Sequence, residues 1–133
     1  MNTAQSVFVG YGVAALAYGF LLGVPMASAR LRAPQAPRHL VTTHVSAIIQ
    51  GAVHLGLAFA VGFITMSPGW VIASAWLIVA ASALELAGGT INWISGTGDQ
   101  FAEKSVGFRL NSLVGPPAIT GIAIIAVGVV GAL

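Results

Sequence analysis

Cysteine is absent from the 133 residues. That excludes disulfides, thiolate metal sites and cysteine nucleophiles. Charge is scarce too. Five Lys or Arg and three Asp or Glu make up 6% of the chain, against about 25% in a soluble domain. The net charge of +2 rests on those few groups, so no basic patch of the size that nucleic acid requires is present. No serine-nucleophile motif, phosphate loop or dinucleotide fingerprint occurs, and Gly96-Thr97-Gly98 is too short to count as one. Hydrolase, kinase and dehydrogenase readings therefore have no support.

What is there is apolar. The chain is 57% hydrophobic with a mean hydropathy of +0.94. Runs of about 20 apolar residues cross a bilayer. The runs predict an all-α, integral membrane four-helix bundle, one transmembrane domain with helices over about 6–29, 41–66, 69–93 and 112–133. Met26-Ala27-Ser28-Ala29 resembles a small-residue cleavage site. The run before it is longer than a signal's apolar region, and no Lys or Arg precedes it. We read it as a retained first helix. Arg30, Arg32 and Arg38 share one short loop with Pro34 and Pro37, which argues that this loop is cytoplasmic. The expected setting is the inner (plasma) membrane of a bacterium, multi-pass, with the lipid bilayer as surroundings.

On the first helix, Gly19 and Gly23 form a small-xxx-small pair suited to close helix contact. Pro25 is expected to bend its end. Tyr11 and Tyr18 bring hydroxyls into the run, either as interfacial and backbone-bonded groups or, for Tyr18, as part of a pocket. Trp70 and Trp93 fit the two interfacial belts of the third helix. Ile94 to Asn111 reads as a long polar connection able to fold over a site at the membrane surface. Asn111 or Ser112 suits a cap for the last helix, which reads as scaffold.

The chemistry concentrates on the second helix. All three histidines, His39, His44 and His54, lie between Arg38 and His54. An intramembrane histidine is costly without a partner, so it is a functional candidate. At about 100° per residue, Thr43, Gln50 and His54 share a face, and His44 lies about 80° from His54 and about 15 Å away along the axis. Two facing histidines are required to hold a haem in a bundled b-type cytochrome. One helix carries all three here, so one chain cannot supply both axial ligands to one iron. A haem would be five-coordinate or bridged between subunits, and an open ferric position is a Lewis acid. The alternative is that His44 is interfacial and His54 a hydrogen-bonded core residue. Zinc is disfavoured by the absence of cysteine and of an i, i+4 histidine pair.

The third helix carries Glu85 well inside the run and Asn92 seven residues later on the same face. Gly88 and Gly89 between them open room for another backbone or a flat ligand. A carboxyl at that depth is protonated, paired or facing a wet cavity. Glu85 lies about 12 Å in from Trp93 and His44 about 9 Å in from Arg38. At such similar depth the two are placed where they could meet.

One pattern resembles a known family. His44, five residues, then Gln50-Gly51 on helix two, with Gly88-Gly89-Thr90-Ile91-Asn92-Trp93 closing helix three and a glycine-containing polar loop before the last helix, resembles the styrene oxide isomerase family. The resemblance runs loosely from about Arg38 to Gly121. It implies a homo-oligomer, a trimer, that binds ferric haem b at subunit interfaces. It implies an intramolecular isomerase: a small hydrophobic epoxide opens to an aldehyde by a Lewis-acid 1,2-shift (a Meinwald rearrangement). Carried over by position, His44 is the axial metal ligand, with Gly51, Gly88 and Gly89 beside the cofactor. Gln50 stands where the family has a pocket Asn, and Glu85, Asn92 and Trp93 lie near the pocket. The family's helix-three Asn and Tyr correspond to Gly89 and Trp93, unless the register shifts to use Asn92. Helix three has no Tyr, so a needed hydroxyl would come from Tyr18 or Tyr11.

Two other readings stay open. A small transporter or channel subunit would use Glu85 and His54 as titrating groups. A scaffold or non-catalytic haem-binding protein would use its polar residues to lock helices.

Overall fold

A computed structural model describes residues 1–133. Every regular element is helical. α1 runs Thr3–Arg32, α2 Arg38–Ala60, α3 Pro68–Ile94, α4 Gln100–Glu103, α5 Val106–Ser112 and α6 Gly115–Val130. A 3-10 turn, Val61–Phe63, extends α2. Four segments are long and apolar enough to span a membrane: Thr3–Arg32, Arg38–Phe63, Pro68–Ile94 and Val106–Val130. The chain is an all-α four-helix bundle of the multi-pass membrane type.

Local chemistry sets the ends. Asn2 and Gln5 form a reciprocal capping box, each side chain accepting from the other's backbone N–H at 2.9 Å. Arg30 and Arg32 occupy the last turn of α1, where positive charge meets the helix dipole favourably. Pro25 lies inside α1 and does not end it. The helix continues to Arg32, past the expected end near residue 29. α3 ends in a Schellman motif. Gly96 takes φ +67° there, and Thr97 N–H reaches Asn92 O at 3.0 Å.

The fourth span departs from expectation. The polar segment before it is not one long loop but two short helices, α4 and α5. The span begins at Val106 and breaks between α5 and α6, because Pro116 and Pro117 supply no N–H to the carbonyls of the preceding turn. Asn92 holds this region. Its Nδ2 donates to Gln100 Oε1 at 2.8 Å, and its Oδ1 accepts from Ser105 Oγ at 2.6 Å. Ser105 in turn caps α5.

Packing is by backbone approach at glycines. α1 lies mainly against α2, and α3 against α5 and α6. A Cβ on Gly51 would stand 2.5 Å from Leu16 Cγ and 2.9 Å from Gly12 O; one on Gly12 would stand 3.0 Å from Gly51 O. The α1–α2 contact is therefore centred on Gly12 and Gly51, with Gly19 against Ile48, rather than on a Gly19–Gly23 pair. Gly88 and Gly107 do the same for α3 and α5. The two ends of the bundle differ. Phe8, Ala58, Val61, Val71, Ala75, Ile78 and Ile125 close one end with an apolar cluster. The polar residues gather at the other, where α1 ends and α2 begins.

Candidate functional site

α2 offers two different polar faces. His44 points into its seam with α1. Its Nδ1 lies 2.7 Å from the Gly19 carbonyl oxygen, so Nδ1 carries the proton and donates. Gly19 and Gly23 leave the ring room; a Cβ on Gly23 would sit 3.7 Å from His44 Cε1. Nε2 is then the lone-pair nitrogen. It makes no hydrogen bond, and it is not buried. The Nε2 atoms of His39 and His54 are both buried without a partner. His54 is 1% exposed, with its Nδ1 on Gln50 O at 2.7 Å and its ring between Phe8 and Tyr11. It has no space for a ligand. His44 is the imidazole on the α1 side of α2 with a free nitrogen; His39 lines the polar cavity instead, with its Nε2 buried.

The second face meets α3. Glu85 accepts from Ser46 Oγ at 3.1 Å and from Gln50 Nε2 at 2.9 Å. Tyr11 OH donates to Gln50 Oε1 at 3.3 Å. Ser46 and Gln50 are one helical turn apart, which puts both donors beside one carboxylate. Glu85 does not meet His44. Ser46 and Gln50 lie about 160° and about 120° around α2 from His44, so the two polar groups diverge within one chain. Tyr18 bonds Thr90 Oγ1 at 2.6 Å and ties α1 to α3. Of the alternatives for Tyr18, the structure gives it a side-chain partner rather than a backbone one.

A cavity of about 210 Å³ runs from the Arg38 end of the bundle to Glu85. Eleven of its twelve lining residues are polar or glycine; Phe101 is the exception. Thr42 and Ser46 of α2 line it together with Glu85 and Gly89 of α3, and Asp99 and Asn111 complete the lining. At its mouth Asp99 accepts from the backbone N–H of Phe101 and Ala102 at 2.9 and 3.2 Å. Those bonds, that to Ala102 first, and the charge of Arg38 hold its carboxyl below the usual range.

The structure thus divides the expected site residues. Gln50, Glu85 and Gly89 share the cavity region. Gly51 and Gly88 do not border open space; they are filled by Leu16 and Gly12, and by Asn111 and Gly107. Of the two occupants expected at Gly88, another backbone or a flat ligand, the backbone is there. Asn92 is 0% exposed and spends both amide atoms on Gln100 and Ser105. It anchors the loop and does not face the cavity. Trp93 is half-buried and outside the lining. Ser46 was the residue that spacing could have found, since it precedes Gln50 by four.

Comparison with protein-family models, with curated proteins and with solved structures found no match.

Proposed function

We propose that this chain is a haem b-dependent membrane isomerase that converts a small hydrophobic epoxide to an aldehyde, with His44 as the iron's axial ligand. The observation that carries the reading is the state of the His44 ring. Its Nδ1–H is committed to the Gly19 carbonyl at 2.7 Å, and Nε2 is free and accessible. A metal-ligating histidine has this arrangement, with the second nitrogen fixed by a carbonyl. The sequence resemblance supplies the rest of the proposal: haem b, the epoxide, the trimer and the inner membrane of a bacterium.

His44 is the residue that would hold the iron, since the His54 ring is buried and His39 lines the polar cavity with its Nε2 buried. Held by one imidazole, ferric haem supplies a Lewis-acid iron with an open coordination position. The chain's residues bind and orient. Gly19 fixes the tautomer and direction of His44. The glycine floor of the seam at Gly51 is filled, so a macrocycle would lie outside the seam, between copies, where exposed Phe20, Val24, Val45 and Ile49 offer apolar contact. Gln50 and Glu85 face away from their own His44. In this proposal Gln50, oriented by Glu85, serves the His44 of an adjoining copy, and the second N–H of its amide donates to the polar end of the substrate.

Mixed oligomers test this. Co-assembly of His44→Ala with Gln50→Ala subunits restores epoxide isomerisation at interfaces that join one intact face of each. If each variant is inactive alone and the mixture stays inactive despite co-assembly, sharing between copies is wrong.

A further inference from the structure

Glu85 poses a charge question that does not depend on haem. Its carboxyl lies within a membrane span, and its hydrogen-bond partners, Ser46 and Gln50, are both neutral donors. Both carboxyl oxygens are placed as acceptors. Gln50 Nε2 can only donate, so Oε2 takes that bond whatever Ser46 does. A carboxylate in a bilayer requires compensating charge or water. No basic side chain provides it. Arg38 lines the same cavity but lies about 12 Å from Ser46 along the helix axis, and its charge acts on Asp99.

The surroundings suit a small positive ion. The cavity opens at the Arg38 end and reaches Glu85, so a hydrated ion has a path to the carboxylate. Ser46 stands near its floor and Thr42 at its rim, and both hydroxyl oxygens can accept. Asn111 lines the wall, but its Oδ1 is buried against Gly88 and is not offered to the cavity. Hydroxyls and one carboxylate are hard oxygen donors. No group of three or more His, Cys, Asp or Glu residues converges anywhere in the chain, so the site has the charge for a monovalent ion and lacks that for a transition metal. The volume of about 210 Å³ admits an ion with water around it.

We propose that this cavity binds one small monovalent cation against Glu85, entering from the end of the bundle that carries Arg38. The ion completes the charge balance of the α2–α3 seam and so couples bundle stability to the cation present. Alkali ions and small ammonium ions share this chemistry, and the arms of the experiment separate them.

The test is thermal unfolding of the detergent-purified protein at constant ionic strength and constant chloride. Sodium, potassium or methylammonium replaces N-methyl-glucamine, a bulky reference cation that cannot lie against a single carboxylate as a compact ion does. The expected result is a saturable rise in melting temperature with at least one of the three, which binding to the folded state produces. The cation that acts at the lowest concentration identifies the ion. Glu85→Gln shifts that midpoint by at least about tenfold, as loss of a buried charge partner does. Equal melting temperatures in all four salts overturn the proposal, as does a response unchanged in Glu85→Gln. A second measurement covers a variant that does not fold. The chain has no cysteine, so Thr42→Cys at the cavity rim is a single reporter. A cationic methanethiosulfonate reagent reacts with it several-fold faster than an anionic one, and the active cation slows the reaction. Equal rates for both reagents, with no protection, overturn the proposal.

Discussion

Gln50 and His44 are six residues apart on one helix and serve opposite seams. Gln50 Nε2 donates to Glu85 Oε2 on α3 at 2.9 Å, and His44 Nδ1 donates to the Gly19 carbonyl on α1 at 2.7 Å. α2 is thus the element both neighbours read. The groups able to bind a metal and to bind a polar ligand leave it in different directions.

The glycine at the α1–α2 crossing is structural. Gly51→Ala places a Cβ against Leu16 and Gly12 and is expected to destabilise by about 1–3 kcal/mol, the usual cost of overpacking. Gly56→Ala meets nothing within 4 Å and is expected to be stabilising by about 0.4–1 kcal/mol. Reversible unfolding in mixed micelles measures both. Equal stability of the two variants would contradict the crossing described here.

Asn92 is expected to behave as a fastener. Asn92→Ala leaves Gln100 and Ser105 without their buried partner, a cost of about 1–3 kcal/mol. Faster amide hydrogen exchange over residues 96–106 is the signature, with α1 unaffected. Protection unchanged over that segment would show that the amide does not hold the loop.

Asp99 gives the cavity mouth a pH dependence. Its folded-state carboxyl titrates below the ordinary value because backbone N–H groups and Arg38 favour the charged form. The cap is therefore fully present above the unfolded carboxyl's titration range and is lost as pH falls through the lower, folded-state value. The Phe101 and Ala102 amide resonances should shift together in that acidic window, and Asp99→Asn should abolish the titration. Amides that do not move on acidification would contradict the cap.

The Gln50–Glu85 bond is expected to show coupling. Gln50→Ala and Glu85→Ala, singly and together, form a double-mutant cycle. Its interaction free energy should be about 0.5–3 kcal/mol, as for directly bonded neighbours. Additive losses would mean that the contact contributes nothing.

Much of this fold is legible in the sequence, because four apolar runs of spanning length, with Glu85 the one charge deep in any of them, have no other use. Boundaries fail where local chemistry overrides hydropathy. Pro25 sits inside a helix that continues, and α5 begins at Val106 because Ser105 caps it and Gly107 packs against Gly88. The site was half legible. Helical spacing places Ser46 and Gln50 together and sets both apart from His44. It says nothing of which helix each face meets, and that decides that Glu85 bonds Gln50 rather than His44. Glycines read alike in sequence, so Gly51, Gly88 and Gly89 looked equally open. The first two are filled by a neighbouring helix; the third faces Thr43 at the cavity wall.

In the proposed function His44 presents its free imidazole nitrogen to the iron. A visible absorption spectrum tests it, ferric and dithionite-reduced, on detergent-purified protein after haem supplementation, with His44→Ala and His54→Ala beside the wild type. A Soret band is expected in the wild type and in folded His54→Ala, and its loss in His44→Ala. A colourless wild type, or a Soret band unchanged in His44→Ala, would contradict it.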